Sequence, residues 1–199
     1  MLANTTYPSL SGTSVYWDFV ELPSQVMENW CYEPEALALF AKHYETGDII
    51  PQHYVEKIKE SASFLEGMAT LRQLSFGILD MAYHAKVQTI EDVKAFEKQV
   101  MEIASLYPDV EENCMSTSFS HIFQGGYSSG YYSYKWAEVL DADAFAYFQE
   151  NGIFNKEVAT KFKDNVLSKG GTELPMELYK KFRGQEPKVE ALLKRAGLI

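Results

Sequence analysis

The segment VYWDFVELPSQVMENW, Val15–Trp30, has an apolar helical pattern and contains the first functional candidate. Its apolar residues recur at helical spacing around Pro23, and a proline there either kinks a helix or marks its start. Asp18 is the predicted N-cap. Glu21 lies at the head of the apolar pattern, where a carboxylate is costly unless a cation, a metal or a hydrogen-bond network compensates it. Glu21 is therefore a candidate site residue, and Glu28, two turns later, is predicted to share its helical face.

The composition indicates a folded protein with a sizeable core. The 199 residues are 46% hydrophobic and 14% aromatic, enough for one helical domain over 1–199 or two lobes of it. No apolar run approaches the ~20 residues of a membrane span, and MLANTTYPSL is not a secretory signal, so we expect a cytoplasmic protein without a membrane partner. A formal net charge of −10 argues against nucleic-acid partners. Cys31 and Cys114 are predicted to be buried free thiols.

The remaining sequence predicts an all-α fold, because strand signals are weak and apolar residues recur with helical periodicity. Thr89 is a predicted helix cap, and Gly67 and Gly77 are candidate interruptions of the longest segment. The predicted helices after Trp30 cover approximately residues 34–47, 51–85, 89–107, 127–149, 155–168, 175–182 and 187–196.

The second candidate motif is FSHIFQGGYSSGYYSYKW, which covers residues 119–136. Three tyrosines occur at positions i, i+4 and i+7 and are predicted to project from one helix face: Tyr127, Tyr131 and Tyr134. Such a stripe is also typical of an aromatic core. Buried phenols need hydrogen-bond partners, however, and three of them beside His121 and the Gly125-Gly126 pair indicate a polar cleft.

Both motifs resemble those of the thimet-oligopeptidase family of zinc metallopeptidases, which includes oligopeptidase A and peptidyl-dipeptidase. The resemblance extends from YPSLSGTS to ALLKRAGLI and includes FRGQEP, where Gln185 stands in place of a family arginine. It implies the C-terminal helical half of a zincin-type catalytic domain that hydrolyses short peptides. It also implies that Glu21 is a zinc ligand, and Glu28 becomes a candidate for orienting a ligating imidazole.

The same resemblance assigns roles to the second motif. His121 and Tyr134 are expected to hydrogen-bond the substrate carbonyl and the tetrahedral oxyanion. The glycine pair is expected to let its loop close over a peptide. The implied substrate-binding residues are Gly125, Gly126, Tyr127 and Tyr131. Glu21 and the tyrosine face are expected to border one concave surface.

The His-Glu-x-x-His motif of that family does not occur in this sequence. The four histidines are His43, His53, His84 and His121, and no two lie four apart. The resemblance implies one zinc ion in the intact enzyme, with the second ligating histidine about two dozen residues before the ligating glutamate. We therefore expect both histidines and the general base in a missing N-terminal part, which would be a partner of this chain. Without that part, the chain is expected to retain no zinc and to be inactive.

Three alternatives remain open at the level of sequence. The chain could act as a piece of a full peptidase, as an inactive stand-alone peptide-binding module, or as a remnant that still folds. Within the first alternative, an endopeptidase and a dipeptide-releasing carboxypeptidase share the same motifs. SYKWAEVLDADAF and GIFNKEVATKF resemble the oligopeptidase A type and favour the endopeptidase.

Overall fold

The computed structural model describes residues 2–108 and 110–199 and confirms the all-α prediction. These residues contain no β-strand, and their β-structure is limited to an isolated antiparallel bridge between Lys42 and Ile49. The α-helices are α1 (Leu22–Glu28), α2 (Pro34–Phe40), α3 (Gln52–Ala62), α4 (Glu66–His84), α5 (Val93–Met101), α6 (Ser120–Phe123), α7 (Ser133–Asn151), α8 (Lys156–Phe162), α9 (Pro175–Arg183) and α10 (Glu190–Arg195). Short 3-10 helices cover Pro8–Leu10, Trp17–Phe19, Asn29–Tyr32, Glu102–Ala104 and Met115–Thr117, and a π-helical turn covers Lys163–Leu167.

Pro23 marks the start of α1 and does not kink a longer helix. It lies in the first turn of α1, where its missing N–H is not needed and its fixed φ favours the helix. The prediction of Asp18 as N-cap is wrong, because Asp18 lies inside a separate 3-10 turn and Glu21 occupies the N-cap position.

The predicted helix over residues 34–47 is shorter in the structure and ends at Phe40. The next residues fold back on themselves, with the Ile50 N–H donating to the Ala41 carbonyl at 2.9 Å and the His43 N–H to the Asp48 carbonyl at 2.8 Å. Gly47 therefore belongs to this turn and does not end a helix.

The predicted segment over residues 51–85 is divided into α3 and α4. The break precedes Glu66, where Leu65 adopts a left-handed conformation with φ +56°. Gly67 and Gly77 both lie inside α4, so the expectation that a glycine interrupts this segment is wrong.

The predicted helix over residues 89–107 is also shorter in the structure. Its N-cap is Asp92 and not Thr89, since the Asp92 carboxylate accepts the Ala95 N–H at 3.0 Å. The α-helix ends at Met101 and continues as a 3-10 turn.

The thiols also differ from the prediction. Cys31 and Cys114 are free, but Cys31 is exposed and Cys114 only partly buried.

None of the helices in the described part of the chain is long and apolar enough to cross a bilayer.

The chain divides into two compact units. Unit 1 contains the residues up to Phe64 together with Ala137–Ile199, and unit 2 contains Leu65–Trp136. The prediction of one domain over 1–199 stays a prediction.

Aromatic packing and buried polar groups hold unit 1 together. The Trp30 ring packs edge-on against Phe145 and Phe148, with centroids 4.7 and 4.9 Å away, and its Nε1 donates to the Ile153 carbonyl at 3.1 Å. Tyr179 is fully buried and donates to Asp143 at 2.6 Å. Burial and this carboxylate raise the pKa of Tyr179, so the phenol remains a neutral donor.

A buried polar triad joins three helices of unit 1. The Asp141 side chain is only 3% exposed, accepts the Asn29 amide at 2.9 Å and is paired with the Arg195 guanidinium. The same guanidinium donates to the Asn29 amide oxygen at 2.9 Å. Arg195 therefore fixes α10 against α7 and the 3-10 turn after α1.

We expect Arg195→Ala to lower the free energy of unfolding by about 3 kcal/mol, because it leaves a buried carboxylate without its cation. Urea denaturation followed by circular dichroism measures the change. Lys194→Ala, an exposed neighbour, is the matched control and should stay within about 0.5 kcal/mol of the wild type. Equal stability of the two variants would show that the triad contributes little.

Unit 2 forms a smaller core around α4 and α6. Its buried residues are Phe76, Leu79, Phe119 and Ile122. Partly buried side chains surround them, including Tyr83, Phe96, Met115 and Tyr131. This core supports the second sequence motif.

Candidate functional site

The second motif forms a series of tight turns between α6 and α7. The Tyr127 N–H donates to the His121 carbonyl at 3.1 Å, and the Gly130 N–H donates to the Tyr127 carbonyl at 2.8 Å. Ser129 has φ +56°, a conformation that non-glycine residues rarely adopt. Residues 127–132 therefore form turns and not a helix, and α7 begins only at Ser133.

The prediction of one helix over 127–149 is consequently wrong at its start. At this point the chain contacts Asp80 on α4, whose side chain is completely buried. Its two oxygens accept the backbone N–H groups of Ser129 and Tyr131, each at 2.9 Å. Because the Tyr131 N–H is used in this way, it cannot make the helical bond to the Tyr127 carbonyl. The tyrosines therefore do not form one helical face.

The backbone geometry explains why glycine occupies positions 125 and 126. A Cβ at Gly125 would lie 3.0 Å from the His121 Cα and 3.1 Å from its carbonyl oxygen, which is too close for a fixed backbone. Gly126 has φ +84°, which favours glycine. The two glycines allow the chain to reverse directly after α6; their proposed role in loop closure stays a prediction.

The structure nevertheless brings the predicted aromatic residues of this motif together. Tyr127 and Tyr134 are stacked, with ring centroids 4.9 Å apart and planes inclined by 18°. Tyr131 lies 5.2 Å from Tyr134, and the His121 ring lies 5.8 to 6.4 Å from all three phenol rings. We call these four residues, His121, Tyr127, Tyr131 and Tyr134, the tyrosine cluster.

Tyr131 joins the tyrosine cluster to the core of unit 2. Its ring packs edge-on against Phe76 and Phe119 at 5.8 and 4.9 Å, and its hydroxyl donates to the Gln73 side chain at 3.0 Å. Burial and the neighbouring Tyr134 raise the pKa of Tyr131. Its phenol therefore remains protonated and can act only as a neutral hydrogen-bond group at neutral pH.

A cleft of about 350 Å³ adjoins the tyrosine cluster within unit 2. Its lining is largely apolar and comes from α4, the turns before α7 and the first residues of α7: Gln73, Leu74, Gly77, Ile78, Met81, Tyr131, Tyr132, Tyr134 and Lys135. The volume is within the range of small-molecule sites, which combine apolar walls with a few polar groups. Two phenols of the tyrosine cluster thus border a space that can accept a ligand.

The other predicted site residues, Glu21 and Glu28, lie at the two ends of α1 in unit 1. Glu21 is partly buried at the N-cap, and its carboxylate accepts the Ser24 hydroxyl at 3.0 Å. The same hydroxyl donates to the Glu21 carbonyl at 2.9 Å. Glu28 is the last residue of α1 and is exposed. The expectation that Glu21 and the tyrosines border one concave surface stays a prediction.

The donor set of the described residues does not by itself fit a zinc ion. A zinc site in a protein uses three or four nitrogen, sulfur or oxygen ligands. Across residues 2–108 and 110–199, the structure has no group of three or more His, Cys, Asp or Glu side chains that could hold a metal. The Glu21 carboxylate is a suitable zinc ligand, but it is only one ligand.

Comparison with known proteins identifies the family. The sequence profile described as peptidase family M3 matches residues 1–198. The chain belongs to peptidase family M3. This agrees with the resemblance of both motifs to the thimet-oligopeptidase family and with the all-α fold.

Individual relatives match over 94 to 100% of this chain. Oligopeptidase A of Escherichia coli K12 is 46% identical over 201 residues, which cover 100% of this chain and 30% of that protein. A probable cytosolic oligopeptidase A of Arabidopsis thaliana is 42% identical over 94% of this chain and 27% of its own length. Dipeptidyl carboxypeptidase of Escherichia coli K12 is 34% identical, again over 100% of this chain and 30% of that protein. The chain therefore spans about a third of the length of these M3 relatives.

Sequence reasoning missed Asp80, whose carboxylate accepts two backbone N–H groups of the turns. A weak signal was available, since Asp80 and His84 are spaced i and i+4 on a helix and His84 Nδ1 lies 2.8 Å from the Asp80 carboxylate. The partners in the turns are 49 and 51 residues away in sequence, so no local pattern could identify them.

Proposed function

We propose that this chain forms part of the catalytic domain of a zinc-dependent M3 oligopeptidase that hydrolyses short peptides. The observation that carries the proposal is the tyrosine cluster, in which one imidazole and three phenols meet beside a cleft. Membership of a peptidase family supports the same reaction class.

Within this proposal, the tyrosine cluster binds the peptide and its transition state. His121 and Tyr134 donate hydrogen bonds to the carbonyl oxygen of the scissile bond and to the oxyanion that it becomes. Tyr127 and Tyr131 hydrogen-bond the peptide backbone. The turn at Gly125 and Gly126 closes over the bound substrate.

Glu21 would provide one ligand to the zinc ion. The other ligands would come from the portion of M3 relatives that this chain does not span, which makes that portion its partner. When bound, zinc polarises a carbonyl and lowers the pKa of a bound water. Glu28 would orient a ligating imidazole from outside the ligand set. We place the enzyme in the cytoplasm, without nucleic-acid or membrane partners.

The comparisons favour the oligopeptidase A type over the dipeptide-releasing type. The identity is 46% to oligopeptidase A and 34% to dipeptidyl carboxypeptidase, both of Escherichia coli, over the full length of this chain. We therefore propose endopeptidase cleavage. An inactive peptide-binding module remains the second candidate, because a peptide could occupy the cleft without a metal.

A pair of proteins tests the proposal: the 199-residue chain alone and a chimaera in which it replaces the matching region of Escherichia coli oligopeptidase A. The chain alone should hold no stoichiometric zinc after dialysis and should not cleave a quenched fluorescent peptide. The chimaera should hold one zinc ion and cleave the peptide internally. A well-folded, zinc-loaded chimaera without activity would contradict the proposed function, and one tightly held zinc in the chain alone would reveal an unrecognised ligand set.

A further inference from the structure

We propose that Asp80 is a positioning residue that holds the tyrosine cluster in place, an inference that rests on the function proposed above. Asp80 lies on α4, and its side chain contacts the turns through backbone amides. It therefore acts on the tyrosines through the chain that carries them and not through their rings.

Each oxygen of the Asp80 carboxylate has a hydrogen-bond partner in the turns. A carboxylate without exposed surface must be compensated by hydrogen bonds. Oδ1 accepts the Ser129 N–H at 2.9 Å and lies 2.8 Å from His84 Nδ1, whereas Oδ2 accepts the Tyr131 N–H at 2.9 Å. Charge-assisted bonds of this kind are stronger than neutral ones. Both oxygens thus hold the turns, and His84 orients the carboxylate.

These bonds hold a backbone segment that includes an unfavourable conformation. Ser129 has φ +56°, which is unfavourable for a residue with a Cβ and persists only when its surroundings impose it. Asp80 accepts one bond from the Ser129 N–H itself and the other from the N–H of Tyr131, two residues later. They divert the chain between Tyr127 and Tyr131, and this diversion places Tyr127 against Tyr134 as a stacked pair. Without Asp80, the segment could extend α7 toward its N-terminus.

The chain also offers a matched control. Glu97 on α5 forms a similar contact in the same unit, accepting the Met115 and Ser116 N–H groups at 2.7 and 2.6 Å. Although burial alone would raise the pKa of Glu97, the hydrogen bonds from Ser116, Met115 and Cys114 outweigh it and lower this pKa. Glu97 therefore holds its loop as a carboxylate, but that loop carries no residue of the tyrosine cluster.

The test compares Asp80→Asn with Glu97→Gln in the 199-residue chain. The Asn side chain has one acceptor oxygen, so one backbone N–H loses its partner and faces an NH₂ group. NMR of ring-labelled tyrosine, assigned with Tyr127→Phe and Tyr134→Phe, reports the stacked pair. Asp80→Asn should shift both ring signals to the values of exposed tyrosines, whereas Glu97→Gln should leave them unchanged. Unchanged signals in Asp80→Asn, or equal loss in both variants, would overturn the proposal.

Two further measurements separate the possible failures. If Asp80→Asn does not fold, amide exchange of the wild-type chain decides: the Ser129 and Tyr131 amides should exchange slowly, and rapid exchange would overturn the proposal. In the chimaera, Asp80→Asn should lower kcat/KM by about 100-fold at unchanged zinc content, since small misplacements of binding groups have effects of that size. Lost stacking with unchanged kcat/KM would support Asp80 as a positioning residue and would instead contradict the catalytic role of the tyrosines.

Discussion

Glu21→Gln is expected to remove zinc and peptidase activity from the chimaera together. Glutamine preserves the size of the side chain and can still accept the Ser24 hydroxyl bond, but its neutral amide is a poor ligand for a divalent cation. The loss of metal affinity should exceed the approximately 10- to 100-fold that loss of a ligand-orienting partner costs. Zinc content after dialysis and the initial rate on one peptide, measured on the same sample, provide the result.

Two variants on neighbouring elements calibrate this experiment. Glu35→Gln changes an exposed acid in the first turn of α2 and should leave zinc content and rate unchanged. Glu28→Gln should lower zinc affinity by about 10- to 100-fold if Glu28 orients a ligating imidazole. Full zinc content in Glu21→Gln would exclude Glu21 from the ligand set, even though the family assignment would stand.

Tyr134→Phe is expected to lower kcat by about 100- to 1,000-fold while zinc remains bound. The Tyr134 hydroxyl is proposed to donate mainly when the oxyanion forms, and loss of one such donor typically has an effect of this size. Phenylalanine preserves the stacking on Tyr127, so the change removes only the hydroxyl. Steady-state kinetics on one peptide, with zinc measured in parallel, tests the expectation.

Tyr131→Phe provides the contrast within the same cluster. Its hydroxyl is assigned to the peptide backbone in both the ground state and the transition state, so its loss should mainly raise KM. Tyr107→Phe, an exposed phenol in the same unit, is the control and should have no effect. If Tyr134→Phe retains full kcat, the tyrosine cluster is a packing element and the assignment of its catalytic role is wrong.

The sequence predicted the helices best where local chemistry defines their ends. The predicted starts of α8 and α9, near residues 155 and 175, agree with the structure, in which Asn155 caps α8 through the Glu157 and Val158 amides and Pro175 begins α9. Both features act within one helical turn, so a single sequence is enough to recognise them.

The errors have a different origin, since they occur where long-range contacts override local periodicity. The i, i+4, i+7 spacing of the tyrosines predicted a helix, but Asp80 withdraws the Tyr131 amide from that helix. The rings still meet, because the turns bring Tyr127 back onto Tyr134. The membership of the tyrosine cluster could therefore be predicted from the motif, whereas the turns that carry it contact a carboxylate 49 and 51 residues away in sequence.

The assignment of Glu21 as a zinc ligand depends on the motif around it and not on the composition of the chain. The chain has 28 acidic residues, and its composition alone gives no reason to select Glu21 among them. The motif around it selects Glu21 through resemblance, and the structure adds its N-cap position and its Ser24 contact. The remaining ligands cannot be derived, because the described residues contain no metal-binding group of three side chains.

The location of the zinc ion in the chimaera shows whether Glu21 and the tyrosine cluster belong to one active site. An anomalous difference map, recorded at the zinc absorption edge from crystals of the chimaera with a bound peptide, shows the metal and its ligands. We predict one zinc peak in contact with the Glu21 carboxylate. We also predict that a carbonyl of the bound peptide accepts a hydrogen bond from Tyr134. A zinc ion bound without Glu21, or a peptide that does not contact the tyrosine cluster, would contradict the account.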